Sequence, residues 1–159
     1  MPTIFIKGDI FHTPGLRAYA HGCNCAGGMD AGVAVAFKKR WPRMYEEYRL
    51  RCEQKQLTLG DVFPWSEGDE LVYNLAIQEH WKQKAQLPAL SRSLTKMAKM
   101  ASDAKVDRVG LPRIAAGLGG LDWPRVKKVL NEVGRETSVT LVVFEQFIRG
   151  AASPDEPAP

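Results

Sequence analysis

Only three cysteines occur in 159 residues, and an odd number cannot all pair within the chain, so a disulfide framework is not what holds this protein together. Cys23 and Cys25 have no second pair of ligands nearby, and a structural zinc needs four, so no metal site is read from them. No run of about twenty apolar residues is present, as a membrane span would need. The start Met1-Pro2-Thr3-Ile4-Phe5 lacks a basic segment followed by a long apolar stretch, so no secretory signal is indicated there. The expectation is a cytoplasmic chain with no membrane partner. Charge is not strongly one-sided either: 22 Lys and Arg stand against 18 Asp and Glu, for a net charge of +4. That balance permits an anionic partner without demanding nucleic acid. The densest basic run, Lys38-Lys39-Arg40, reads as the end of a helix whose terminal carbonyls favour cations.

What is present suits one compact core. At 45% apolar and 25% charged residues, a chain of this length can bury enough surface to fold without staples. Residues 3–7 and 18–25 read as strands, the second running into a glycine turn at Ala26-Gly27-Gly28. From Ala31 onward, Val33, Ala36 and Phe37 recur at helical spacing, and Pro42 opens a further helix carrying Met44, Tyr45, Tyr48 and Cys52 on one stripe. Residues 62–65 and 70–77 read as a hairpin joined by Ser66-Glu67-Gly68-Asp69. A polar loop over 78–86 leads to a helix starting near Pro88, with Leu90, Leu94, Met97, Ala98 and Ala101 on one face. Residues 108–111 form a brief strand before a second glycine loop, and Asp122 can cap a helix bearing Val126, Val129, Leu130 and Val133. Residues 138–144, β-branched and apolar, read as a strand covered on both faces. Strands alternating with helices predict a three-layer α/β/α sandwich with a central mixed sheet over residues 1–148. Residues 149–159, small, acidic and proline-rich, read as a disordered tail.

The chemistry lies in the two glycine loops. Glycine between a strand and a helix lets backbone N–H groups approach an anion closely, and the first turn of the helix adds partial positive charge. Two such loops can grip two phosphates. Neither matches Gly-X-Gly-X-X-Gly or ends in Gly-Lys-Ser/Thr, and the chain is short for a separate substrate domain, so a nicotinamide oxidoreductase is poorly supported. His21 and His80 read as packing or loop residues, since no Ser/His/Asp or metal spacing accompanies them.

Three stretches carry a family resemblance. Lys7-Gly8-Asp9-Ile10, His21-Gly22-Cys23-Asn24-Cys25 running into Gly27-Gly28-Met29-Asp30-Ala31-Gly32-Val33-Ala34, and Pro112-Arg113-Ile114-Ala115-Ala116-Gly117-Leu118-Gly119-Gly120-Leu121 resemble the ligand loops of macrodomains. The similarity is greatest to the branch containing terminal ADP-ribose protein glycohydrolase and the DarG-type antitoxins. It implies an ADP-ribose pocket without a cofactor. Asp9 would accept from the adenine amino group, with Ile10 beside it, and Phe144 would be the adenine platform, with Phe147 the second choice. Asn24 would reach the distal ribose. Gly27, Gly28, Met29, Ala31, Gly32 and Val33 would form one ligand loop, and Ala115, Gly117, Leu118, Gly119, Gly120 and Leu121 the other.

The same resemblance implies a lysine nucleophile. Aligning Tyr73-Asn74-Leu75 through Leu90 and Leu94 puts Lys84 at that position, with Lys82 as the alternative. A largely desolvated lysine near its neutral form can attack the anomeric carbon of the distal ribose and open the ring to a Schiff base that water later resolves. Gly119 stands where the side-chain glycohydrolase of that branch has an acid, which is the antitoxin pattern. The implied activity is removal of ADP-ribose from modified DNA bases, by a monomer with a possible cognate toxin. The alternatives are a binder without turnover, a hydrolase of modified protein side chains, and a phosphatase of ADP-ribose 1″-phosphate.

Overall fold

A computed structural model describes residues 2–150, so most of the segment read as a tail, 151–159, lies outside the described residues. Six strands form one sheet: β1 (Ile4–Gly8), β2 (Ala18–Asn24), β3 (Val62–Glu67), β4 (Glu70–Gln78), β5 (Arg108–Leu111) and β6 (Thr140–Phe147). Their order is β1-β6-β5-β2-β4-β3, with every neighbouring pair parallel except β3 and β4. The mixed sheet expected from sequence is therefore present.

Side-chain alternation along the strands divides the core into two layers. Ala18, Ala20, Tyr73, Leu75, Ile77, Val109, Leu111, Leu141 and Val143 face α3 (Leu87–Asp103) and α4 (Trp123–Arg135). On the other face Tyr19, Cys23, Val72, Ala76, Val142 and Phe144 meet α1 (Val33–Arg40) and α2 (Pro42–Glu53). The stripe Leu90, Leu94, Met97, Ala98 and Ala101 of α3 is buried as its spacing predicts. Truncating one such leucine to alanine typically costs about 2–5 kcal/mol. No helix among the described residues is long and apolar enough to cross a membrane.

Three local expectations change. Glu67 pairs directly with Glu70, so the hairpin loop is Gly68-Asp69 alone, made possible by Gly68 at φ +61°, because two-residue hairpin turns need positive φ. The first helix starts at Val33, not Ala31, since Gly32 adopts φ 66°, ψ −151° and stands outside the helical region. Asp122 occupies the N-cap of α4, yet its side chain makes no capping hydrogen bond. A cap accepts from the second or third helical N–H. Pro124 has no N–H at the second position, and Arg125 N at the third donates to the Asp122 carbonyl instead.

Candidate functional site

Parallel strands β1, β6, β5, β2 and β4 all end at the same sheet edge, and in open α/β sheets that edge is where ligands bind. A cavity of about 660 Å³ opens there. Its walls come from Gly22, Cys23 and Asn24 at the end of β2, Gly28 and 30–32 of the first loop with Val33 and Ala34 opening α1, Ile77 and Gln78 at the end of β4 with Trp81 beyond it, and 112–117 with Gly119 after β5.

Asn24 shapes the first loop from within. Its Oδ1 accepts from Ala26 N at 2.9 Å and Gly28 N at 3.2 Å, and its Nδ2 donates to Gly28 O at 2.9 Å. Tyr48 of α2 braces it, donating to the Asn24 carbonyl at 2.6 Å and lying 3.0 Å from Oδ1. One amide hydrogen of Asn24 is left for a ligand. Behind the loop Tyr45 donates to the Gly27 carbonyl. The loop then delivers the start of α1 to the cavity, where Val35 N donates to Gly32 O at 3.2 Å and the N–H groups of Val33 and Ala34 precede the first regular helical bonds.

The second loop is a single turn, Gly117–Gly119, closed by Gly120 N to Gly117 O and Leu121 N to Ala115 O, both 3.0 Å. Ala115 holds φ +65°, a conformation that costs an L-residue about 1–3 kcal/mol. It is the strained residue of the cavity wall. Ala85 N donates to Gly119 O at 2.8 Å, tying the lysine-bearing segment after β4 to this loop. A two-loop cradle with backbone N–H groups and few charges suits a diphosphate.

Among the described residues, Asp30 and Arg113 are the charged side chains on the wall. Asp30 is exposed and lies 3.1 Å from Lys38 Nζ, while the Arg113 guanidinium sits 5.1 Å from the centroid of the Trp123 ring. Three further titratable groups near the cavity, Cys23, Cys25 and His21, are silenced. Cys23 is buried and its thiol is pushed well up; burial also raises Cys25, to about 11. Neither supplies a thiolate at neutral pH. His21 is fully buried, stacked on Phe37 with centroids 4.1 Å apart, and 2.6 Å from Asn74 Oδ1. Burial lowers its pKa to about 4, against the opposing effect of the Asn74 hydrogen bond. It is a neutral packing residue. No group of His, Cys, Asp and Glu among the described residues can hold a metal ion.

The cavity gathers Asn24, Gly28, Ala31, Gly32, Val33, Ala115, Gly117 and Gly119 from the residues singled out by sequence. Others lie elsewhere. Gly27 backs onto Arg49 and Cys52 of α2, Met29 is buried in the α1/α2 core, and Leu121 packs on the α3/α4 core. Lys84 lies at the rim, its stem packed over Gly120, where an added Cβ would sit 3.2 Å from Lys84 Cγ. Lys82 is exposed in the same segment.

Asp9, Ile10 and Phe144 form a separate, closed end. The Asp9 carboxylate accepts from Phe11 N at 3.0 Å and Gly150 N at 2.9 Å, with His12 Nδ1 at 3.0 Å. Burial would raise its pKa, but these three contacts outweigh burial and hold it below the ordinary value. Ile10 is buried, and Phe144 is only 3% exposed. The aromatic that offers a face here is Phe147, 63% exposed and paired in register with Gly8. Sequence reasoning did not single out Asp30, Gln78, Trp81 or Arg113 as wall residues. Their position on the loops already identified was the available signal.

A three-layer sandwich whose strand ends hold two glycine loops around one cavity is an architecture suited to a nucleotide diphosphate. The chain belongs to the Macro domain family, whose model matches residues 20–130. It is 29% identical over 132 residues to a DNA ADP-ribosyl glycohydrolase of Thermus aquaticus, an alignment covering 80% of this chain and 36% of that protein. The chain thus spans about a third of that relative's length. It is also 29% identical over 140 residues to the human ADP-ribose glycohydrolase OARD1, covering 88% of this chain and 89% of that one. The macrodomain of Thermus aquaticus DarG superposes with a TM-score of 0.80 at 28% identity, covering 89% of this chain and 96% of that one.

Proposed function

We propose that this macrodomain binds ADP-ribose with its diphosphate between the two loops and hydrolyses the bond joining the distal ribose to a base in DNA. The observation that carries the reading is the cavity shared by both glycine loops, on a chain whose relatives include a DNA ADP-ribosyl glycohydrolase. In this reading Lys84, on the rim beside Gly120, turns its amine inward. Its neutral amine attacks the anomeric carbon as the bond to the base breaks, the base leaving with the bonding electrons and the proton shed by the amine. The ring C–O bond then opens to a protonated Schiff base, and water hydrolyses it to free ADP-ribose and the lysine amine. A location in the cytoplasm and pairing with a toxin belong to the same proposal.

A second route to the same products is favoured by one observation: Asp30 is the carboxylate on the cavity wall, whereas Lys84 lies at its rim. A carboxylate there can take a proton from water as the water attacks the anomeric carbon, the base leaving with its bonding electrons and a proton. One assay separates the two. ADP-ribose release from modified single-stranded DNA is measured for the wild type, Lys84→Ala and Asp30→Asn, with borohydride added to trap any Schiff base. Loss of 100-fold or more with Lys84→Ala, together with trapping in the wild type, establishes the lysine route. Unchanged release by Lys84→Ala with loss in Asp30→Asn establishes the water route. Cleavage of modified glutamate but not DNA reverses the substrate, and phosphate release from ADP-ribose 1″-phosphate would make the protein a phosphatase.

A further inference from the structure

Trp81 and Phe147 are the large aromatics left exposed among the described residues, and of the two Trp81 lines the cavity. It is 55% exposed, whereas Phe37, Trp41, Tyr48 and Phe63 are no more than 2% exposed and fill the core. It lines the cavity, on the segment between β4 and α3 that also carries the rim lysines. One side of its indole packs against the first loop, where a Cβ added to Gly28 would lie 2.9 Å from Trp81 Cε3. The His80 ring lies against it at a tilt of 33°, centroids 3.8 Å apart. Trp81 thus touches Gly28 and His80 and still remains 55% exposed. Leaving a large ring this open forgoes burial worth roughly 1.5–3 kcal/mol, and its open part faces the cavity.

We infer that Trp81 is the stacking platform for the nucleobase that carries ADP-ribose, and so a specificity-determining residue of this site. The inference rests on the proposed DNA substrate and deepens it. A base leaving the ribose must emerge through the mouth of the cavity, and Trp81 is the open aromatic surface on that wall. A base has a π-face whatever its sequence, so an indole recognises it without a dedicated hydrogen-bond pattern. Lys82, exposed next to the ring, is placed for a phosphate flanking that base, and among the described residues it has no ion pair. An acidic side chain bearing ADP-ribose offers no flat face to the indole, so Trp81 favours nucleic acid over protein.

The test compares two ligands with one set of proteins: free ADP-ribose, and a short single-stranded oligonucleotide bearing ADP-ribose on one base. Affinities are measured by stopped-flow fluorescence before turnover, at fixed salt, with the wild type, Trp81→Ala and Trp81→Phe. The expected result is that Trp81→Ala weakens the oligonucleotide about 5- to 150-fold more than it weakens ADP-ribose. Trp81→Phe should restore most of that difference. Equal losses for both ligands, or no loss for either, would overturn the inference. Release of ADP-ribose from the oligonucleotide is followed in parallel. Its absence in the wild type sinks the hydrolase reading, while the affinity difference still decides the role of Trp81.

Discussion

At the loop end of the sheet, Asn24, Gly28 and Gly119 surround a cavity of about 660 Å³, while at the Asp9 end the chain itself occupies the carboxylate through Phe11, His12 and Gly150. Both ends sit at the carboxyl edge of the same parallel strands. The loop end is held by the chain's own hydrogen bonds, those of Asn24 and Tyr48 and that from Ala85 to Gly119. At the Asp9 end the chain's own donors satisfy the carboxylate itself. A ligand that enters the first gains contacts outright, and one that also engages Asp9 must displace or share an existing donor. That exchange is worth less than a new hydrogen bond.

The largest way to break the comparison is at Gly120. It holds φ +72°, and a side chain there would meet Lys84 Cγ at 3.2 Å. Gly120→Val combines left-handed strain with crowding, for an expected cost of about 3 kcal/mol. ADP-ribose affinity by calorimetry should fall by tenfold or more. Gly117 is a control: its φ is +60°, but nothing lies within 4 Å of an added Cβ, so Gly117→Ala should show only the strain, about 1 kcal/mol.

Asp9→Asn probes the closed end. It keeps the shape and removes the charge, weakening charge-assisted hydrogen bonds worth about 1.5–3 kcal/mol. Urea unfolding should show a loss of about 2 kcal/mol at pH 7. Because the folded Asp9 pKa lies below its ordinary 3.8, the wild-type advantage should persist above pH 4 and vanish as pH falls through the folded value. ADP-ribose affinity sharpens the comparison. A tenfold drop means that the ligand takes over from Gly150, and an unchanged value makes this end purely structural.

The fold was legible because its signals are local and repeated. The α3 stripe from Leu90 to Ala101, the apolar run of β6 and the glycines after β2 and β5 each name an element by spacing alone. The site was legible as loops and less so as side chains. Trp81 and Asp30 sit on segments the sequence singled out, but exposure is a property of packing, and nothing in His80-Trp81-Lys82 says that the indole rests on Gly28. Asp9 shows the converse. Its type suits an adenine contact, and only the return of β6 beside Gly8 shows that Gly150 N already uses the carboxylate. Asp122 failed as a side-chain cap because of Pro124, two residues away, which was visible in the sequence and outweighed by the residue-type preference.

His21 separates the sheet from its edge. Its folded pKa near 4 lies below the usual 6.5, so the unfolded chain binds a proton that the native state refuses. Stability from this source is complete above about pH 6.5 and is lost as pH falls from there toward 4. Between pH 7 and pH 5 the loss should be about 2 kcal/mol. His21→Gln, which keeps an amide donor for Asn74, should flatten that slope even if it lowers stability at every pH. An unchanged slope would place the acid sensitivity elsewhere.

The smallest effect returns to the cavity wall. Ala115 is a non-glycine residue at φ +65° in the second loop, and its strain raises the energy of the conformation that presents this loop to a ligand. Glycine adopts the same angles at no steric cost but has more freedom to lose on folding. The two terms oppose, and strain is the larger at a left-handed position, so Ala115→Gly should raise stability by about 1 kcal/mol. If the loop is preformed as the hydrogen bonds at Gly119 and Leu121 indicate, ADP-ribose affinity should rise by no more than about twofold, because relief acts on free and bound states alike. A gain in affinity approaching tenfold would mean that the bound loop is the strained one and the free loop is not, which would move the second glycine loop from the preformed class to the adaptable one.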